Sequence, residues 1–329
     1  MEDVRRQQAE SWGADQLGWP EDFVSDAIGS DASFRRYFRL SHEGRTVVVM
    51  DAPPEIEKLD AFIDIGQRLE RAGLHVPDQL HVNHEQGFLL LEDLGQRPYH
   101  LVLNADTAAT LFDDALGALI TMQTYADPRG LPEYDPAMLL REVSLFPDWF
   151  LNRHWQVEPT DEELDAWDSI CATLVRWALD QPRVFCHRDY MPRNLMLADP
   201  NPGIIDFQGA VLGPISYDPV CLFRDAFLSW PQEQVDTWLE NYRQRARAAG
   251  LPVPESAGLW RRTCDFMAVQ RHLKVIGIFA RIHYRDGKSG YLEDTPRFFA
   301  YLEQAIERNP ELLELGRLIA AWQHRRQLD

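Results

Sequence analysis

The sequence predicts an α+β fold of two lobes, with a small antiparallel β-rich lobe over residues 1–95 and a larger, mainly helical lobe over 96–329. Three observations predict it. Up to residue 95, short apolar runs are separated by glycine-bearing turns, with one amphipathic helical pattern among them. From Ala105 onward, apolar residues recur at helical spacing in one segment after another. Among those segments, at 184–209, stands the stretch VFCHRDYMPRNLMLADPNPGIIDFQG, where short apolar runs alternate with polar residues.

Residues 3–12 read as a short polar helix, with Trp12, Leu17 and Trp19 placed to cap the lobe that follows. The small residues 29–33 lead into a strand over 34–40. A second strand covers 46–50, and Gly44 lies in the turn between them. Pro53-Pro54 breaks the chain. Ile56, Leu59, Phe62, Ile63 and Leu69 then fall at helical spacing, and Gly73 suits the end of that helix. Residues 80–83 and 87–91 pair as strands, and Glu92-Asp93-Leu94 follows the second. In the larger lobe, helices are expected over 106–124, 136–154 (with Pro147 near its middle), 161–180, 219–229, 232–249, 257–285 and 296–324.

The chemistry sits in 184–209. Val184-Phe185-Cys186 suits a buried strand, His187-Arg188-Asp189 follows it, and Asn194 stands five residues past the aspartate. Leu195-Met196-Leu197, the turn-rich 199–203 and Ile204-Ile205 lead into Asp206. Magnesium-dependent phosphoryl transfer needs one carboxylate to orient a hydroxyl and take its proton, and hard oxygen ligands for the metal from a second carboxylate and an amide. An Asp/Asn-rich turn between two strands is a common object. The full spacing with apolar strands on both sides is much less common.

On these residues the chain resembles the kinase-like phosphotransferases, in which H-x-D-x-x-x-x-N is followed by D-x-G or D-x-x. Over its whole length it looks like the aminoglycoside phosphotransferase and choline kinase family, which implies a bilobal protein-kinase-like fold. The resemblance implies ATP and Mg²⁺ as cofactors. It makes Asp189 the catalytic base, has His187 brace its loop, and makes Asn194 and Asp206 the metal ligands. Glu92 to Leu94 become the hinge whose backbone holds adenine. The turn containing Ser30 and Ser33 corresponds to the glycine-rich loop, although G-x-G-x-x-G is absent. Met50 stands where the family's strand lysine would neutralise phosphate. Either another cation replaces it, with Arg35, Arg36 and Lys58 nearest in sequence and Arg36 favoured, or the chain is a nucleotide-binding pseudokinase. Only a short loop separates Asp206 from Asp218, and no A-P-E follows, which suits a pocket open to small molecules. Asp218 is expected to tie loop backbone together.

Residues 30–38, 49–54 and 270–290 look closest to one branch of that family. Its members phosphorylate the anomeric C1 hydroxyl of N-acetylmuramate and N-acetylglucosamine in cell-wall sugar recycling. From Arg261 to Lys288, seven Lys/Arg stand against two acids, and helical spacing puts Arg271, Lys274, Arg281 and Arg285 on one face. A cationic face suits an anionic acceptor, and arginine can hold a lactyl carboxylate bidentately. Arg271, Lys274 and Arg281 are therefore the expected substrate contacts, while a solvated charged face would give the same pattern. Aminoglycoside, choline and homoserine acceptors stay open on the residues alone.

Hydrophobic residues at 45% and charged residues at 26% are an ordinary soluble globular composition. A net charge of −19 argues against broad nucleic-acid or anionic-membrane binding. The four cysteines are far apart and form no C-x-x-C pair, as expected of buried thiols in a reducing compartment. The first residues hold no apolar signal core, and no run approaches the ~20 residues of a spanning helix. The expectation is a cytoplasmic monomer acting on a small-molecule amino sugar, with no nucleic acid or membrane partner.

Overall fold

The computed structural model describes residues 3–29, 34–57 and 59–326. In chain order its elements begin with α1 (Val4–Leu17), β1 (Val24–Ile28), β2 (Arg36–His42), β3 (Arg45–Asp51), α2 (Leu59–Arg71), β4 (Gln79–Asn83) and β5 (Phe88–Glu92). Then come α3 (Tyr99–Val102), α4 (Ala108–Tyr125), α5 (Pro136–Val143), a π-helix (Phe146–Trp155), α6 (Asp161–Leu179) and β6 (Arg183–Cys186). A 3₁₀ turn (Pro192–Asn194) precedes β7 (Leu195–Met196), β8 (Gly203–Ile204) and β9 (Val211–Pro214). The chain ends in α7 (Tyr217–Phe223), α8 (Gln232–Ala248), α9 (Ala257–Asp286), α10 (Thr295–Arg308) and α11 (Leu313–Arg326). Two compact units result, Met1–Ala118 with Arg193–Gly209, and Leu119–Pro192 with Ala210–Asp329.

The first unit is built on an antiparallel sheet in the order β1-β2-β3-β5-β4. Glu43 and Gly44, at φ 47° and 79°, close the two-residue hairpin between β2 and β3, because paired positive φ values match the twist of the flanking strands. Helix α1 packs on this sheet, its Ala9 and Ala14 joining Trp19, Leu40, Val47, Val49, Phe88 and Leu90 in one core. Gly13 permits the approach: a Cβ there would meet Val49 Cγ2 at 2.4 Å. The edge strand β1 carries no apolar alternation, since its residues are exposed or half-buried, and no sequence pattern announced it. The β7–β8 hairpin forms as the turn-rich 199–203 segment indicated, with Leu195 opposite Ile204.

The second unit is helical apart from β6 and β9, which pair antiparallel. Helix α9 runs through it, buried on nearly every side, and Gly277 lets it touch the backbone of Leu145, where a Cβ would stand 2.3 Å from the carbonyl. Phe146, Phe150, Trp155, Trp167, Phe298 and Trp322 belong to the core around it.

Three expected helices change. The one over 136–154 is α5 followed by a π-helix, with Pro147 at the start of the latter, where its missing N–H cannot continue an α ladder. The one over 219–229 stops at Phe223, because Arg224 leaves helical geometry at φ −110°, ψ 62°. The one over 296–324 breaks at Asn309, which Pro310 forces into extended backbone at φ −130°, ψ 101°.

Candidate active site

In the second unit, β6 delivers the chain to His187. The backbone N–H groups of His187 and Arg188 donate to Asp218 Oδ2 at 2.7 Å and Oδ1 at 2.9 Å. Asp218 lies on α7 with no exposed surface, and burial pushes its carboxyl up to about 6 against the pull of those two donors. It therefore ties the loop backbone, as the sequence indicated. Arg188 sits at φ 74°, the left-handed region, which costs a non-glycine residue roughly 1–3 kcal/mol. The reversal at Arg188 lets the Asp189 N–H reach back to His187 Nδ1 at 3.3 Å over a fully buried imidazole.

The Arg188 guanidinium pairs with Glu142 of α5 and lies over the Tyr134 ring, 5.5 Å from its centroid. The same carboxylate takes Lys274 Nζ of α9 at 2.9 Å and the Tyr134 hydroxyl. Lys274 also donates to the Tyr217 hydroxyl at 3.1 Å. Burial works against the charge of Glu142, but Lys274 and Arg188 outweigh it and hold its carboxyl below the ordinary range. One carboxylate thus serves two cations.

The expected cationic face of α9 divides. Arg271 and Lys274 are buried, 2% and 8% exposed, and both feel the charge of Asp189. Arg281 is half-exposed, its charged neighbours are Arg285 and Asp286, and burial and Arg285 lower its guanidinium. Ten residues of helix separate it from Arg271, about 15 Å along the axis, so a shared face does not mean a shared site.

In the first unit, the Asn194 carbonyl accepts from the Ile205 N–H at 3.0 Å, beside the Leu195–Ile204 pair. The amide of Asn194 and the carboxylate of Asp206 therefore leave the same end of the β7–β8 hairpin. Asp206 stands at φ 62°, left-handed like Arg188, and its Oδ1 accepts from Gln208 Nε2 at 2.7 Å. Both are hard oxygen donors, the type Mg²⁺ takes when phosphates and water complete its shell, so these residues fit the metal. Among the described residues no group of three or more His, Cys, Asp or Glu could hold a metal, and a site of one carboxylate and one amide does not require one.

Met50 is fully buried on β3, opposite Tyr37 and Leu89. Burial pushes the Tyr37 phenol up to about 12, with Arg35 opposing and Asp206 adding to the shift, so Arg35, Tyr37 and Asp206 are electrostatic neighbours. Arg35 pairs with Glu57 at 3.2 Å. Arg36, favoured from sequence, is committed elsewhere, to Asp51 at 2.6 Å and to Asp3. Alternation along an extended chain sends the two arginines opposite ways, and it is Arg35 whose charge, like that of Asp206, acts on Tyr37. Ser30, Ser33 and Lys58 lie outside the described residues.

At the expected hinge, the Glu92 N–H donates to the Asp78 carbonyl at 2.9 Å and its carboxylate accepts from the Asp78 N–H at 3.3 Å. Asp93 accepts from Nε and Nη2 of Arg39, at 2.7 and 2.8 Å, and Leu94 is buried against Gly203. Sequence reasoning missed Glu142 and Tyr134: the two meet across 8 residues, but the cations that Glu142 holds, Arg188 and Lys274, lie 46 and more residues away, and no local pattern marks them. It also gave no role to Asp225, a carboxylate 1% exposed just beyond α7.

The model of the phosphotransferase enzyme family matches residues 26–260. The chain is 52% identical to an N-acetylmuramate/N-acetylglucosamine kinase of Pseudomonas aeruginosa, over 97% of each chain. It is 50% identical to one of Pseudomonas putida, over 98% of this chain and 97% of the other, and 42% identical to one of Neisseria meningitidis, over 92% of each. Among solved structures, a choline kinase of Streptococcus pneumoniae aligns with a TM-score of 0.63 at 14% identity, over 92% of this chain and all of the other. An ADP-bound aminoglycoside phosphotransferase aligns with a TM-score of 0.60 at 14% identity, over 92% of this chain and 98% of the other. These likenesses show the protein-kinase-like fold, and with a family match that spans most of its length the chain belongs to the phosphotransferase enzyme family.

Proposed function

We propose that this chain is an ATP- and Mg²⁺-dependent kinase that phosphorylates the C1 hydroxyl of N-acetylmuramate and N-acetylglucosamine, acting as a cytoplasmic monomer in cell-wall sugar recycling. The observation that carries the reading is the neighbourhood of Asp189 with two buried cations, Arg271 and Lys274, in a chain about half identical to kinases of that name.

Asp189 orients the anomeric hydroxyl and takes its proton as the oxygen attacks the γ-phosphoryl group. His187 and Asp218 hold the loop that presents it. Arg271 and Lys274 supply the positive charge that complements a lactyl carboxylate, where a polycationic aminoglycoside would be repelled. Arg35 takes the part of the missing strand lysine, and the backbone of Glu92 to Leu94 receives the adenine. Asn194 and Asp206 would hold Mg²⁺, which neutralises charge on the transferring phosphate when bound.

Asp189→Ala is expected to lose turnover by about 10²–10⁴-fold while still binding nucleotide. A substrate methylated at the anomeric oxygen should be inert. Near-normal turnover by Asp189→Ala removes the mechanism. Phosphate on C6, or faster turnover of kanamycin than of either sugar, removes the substrate. Met50 favours one competing reading, a nucleotide-binding pseudokinase, which requires that no sugar provoke ATP consumption.

A further inference from the structure

The sheet of the first unit has two faces. On one, Leu40, Val47, Val49, Phe88 and Leu90 meet α1. Side chains of β2 alternate, so Arg39 belongs to the other face, with Tyr37 two residues before it and Arg35 four before it. The register carries that face across the sheet. Tyr37 stands opposite Met50 and Met50 opposite Leu89, while Arg39 stands opposite Val48 and Val48 opposite Leu91. Arg35 and Arg39 are thus roughly 13 Å apart along the chain, on the order of the reach from base to terminal phosphate in a nucleotide.

Arg39 is committed to the chain that leaves β5. It reaches across β3 to Asp93, two residues past Leu91. Its Nε donates to Asp93 Oδ2 at 2.7 Å, and its Nη2 donates both to Asp93 Oδ1 and to the Gly95 carbonyl at 2.8 Å. Asp93 Oδ1 also accepts from the Gly95 N–H at 3.0 Å, which closes a turn around Leu94. Gly95 sits in that turn at φ 89°, a region that favours glycine. The side chains of Arg39 and Asp93 are only 11% and 5% exposed, and an ion pair so far out of water seldom stabilises a fold on balance. Its effect is placement. Within the turn, the Leu94 side chain is buried against Gly203, while the main-chain N–H and C=O of Leu94 enter no hydrogen bond among the described residues. The clamp therefore fixes main-chain groups that stay open to a ligand.

We infer that Arg39 is a positioning residue for the nucleobase, one that fixes the main chain at Leu94 in the register that accepts adenine and rejects guanine. The inference rests on the kinase reading and on the hinge within it, and adds base selectivity to both. Along the edge that a main chain can pair with, adenine offers an amino donor beside a ring acceptor. Guanine offers a carbonyl acceptor beside a ring donor. A C=O and an N–H held in one register pair with the first arrangement and oppose the second. A turn free to rotate could present either order, so selectivity requires that the turn be rigid. Arg39 supplies that rigidity through Asp93 and Gly95, from the same sheet face that carries Arg35.

The test crosses enzyme variants with nucleotides. Steady-state kinetics with ATP and with GTP, at saturating N-acetylglucosamine, are measured on wild type, on Arg39→Met and on the double variant Arg39→Met with Asp93→Leu, each with a thermal melt. Wild type should favour ATP by about tenfold or more in kcat/KM. Arg39→Met should raise the KM for ATP about tenfold, the worth of one hydrogen bond to the base, with kcat within about twofold and GTP little changed. The ATP-to-GTP preference then falls by the same factor. Arg39→Met leaves the Asp93 charge buried and unpaired, whereas the double variant leaves no such charge, so it should show the same fall with a melt nearer wild type. Should Arg39→Met fail to fold, the double variant decides by the same criterion. Equal losses with ATP and GTP overturn the inference, because a clamp that only stabilises the fold acts alike on both. A fall in kcat with KM unchanged also overturns it, as does a wild type that uses the two nucleotides equally well. Wild type that consumes neither nucleotide with either sugar brings down the kinase reading itself, an outcome distinct from lost selectivity in an active enzyme.

Discussion

Two ion clusters of the same chemistry stand in different surroundings. In the first unit, buried Asp51 takes Arg5 at 2.7 Å and Arg36 at 2.6 Å, and the two arginine side chains are 31% and 36% exposed. In the second, Glu142 takes Arg188 and Lys274, and all three are mostly buried. Each is one carboxylate between two cations. In the first, the cations reach water, so the cluster costs little to make and gains little once made. It fastens α1, which carries Arg5, to the ends of β2 and β3. In the second, three charged groups have left water, and a pair of that kind seldom stabilises a fold on balance. What it provides is placement. Arg188 lies between His187 and Asp189 at φ 74°, and its guanidinium is anchored by a helix from elsewhere in the chain.

Glu142 is where that difference should be largest. Glu142→Ala leaves Arg188 and Lys274 buried against each other, a loss of about 3–5 kcal/mol and on the order of 10 °C in Tm. Glu142→Gln keeps the shape and still lacks the charge, so turnover should fall even where melting is largely restored. Calorimetry with kcat on both variants checks this. Full turnover by Glu142→Gln would reduce the buried cluster to the standing of the exposed one.

Asp218 sharpens the contrast through pH. Its carboxyl rises from the ordinary 3.8 to about 6 because burial penalises its charge. Between those values the folded protein holds a proton that the unfolded chain has lost, so stability from this group is greatest below pH 3.8 and falls as pH rises through about 6. Asp218→Asn cannot titrate. Its stability deficit against wild type, measured by denaturant titration, should therefore be larger at pH 4 than at pH 7, and a deficit that grows with pH contradicts the assignment.

The same contrast explains what the sequence made legible. Asp189, Asn194 and Asp206 stood out as candidates because phosphoryl transfer calls for that spacing along one local stretch, and hairpin β7–β8 was legible because its turn residues are explicit. Helix α2 was visible because one of its faces meets water. Helix α9 is buried on nearly every side, so its cations read as one continuous face for an anionic acceptor, and nothing local told Arg271 and Lys274 from Arg281. Glu142 was invisible for a related reason: a buried acid is defined by partners that only the fold brings together. Strand β1, with its residues facing outward, gave no alternation to read.

The smallest expected effect separates two adjacent arginines. Arg36→Ala removes a half-exposed guanidinium from Asp51, which keeps Arg5, so the cost should be about 1 kcal/mol or less. Its KM for ATP should stay within about twofold, as expected for a surface substitution away from the site. Arg35→Ala should hardly change stability either, because its partner Glu57 is partly open to solvent. It should nevertheless raise the KM for ATP by about tenfold, the worth of one charge-assisted contact to phosphate. Steady-state kinetics on the two variants distinguish them directly. If Arg36→Ala raises KM and Arg35→Ala does not, then the Asp51 cluster belongs to the nucleotide after all, and its likeness to the Glu142 cluster extends from composition to role.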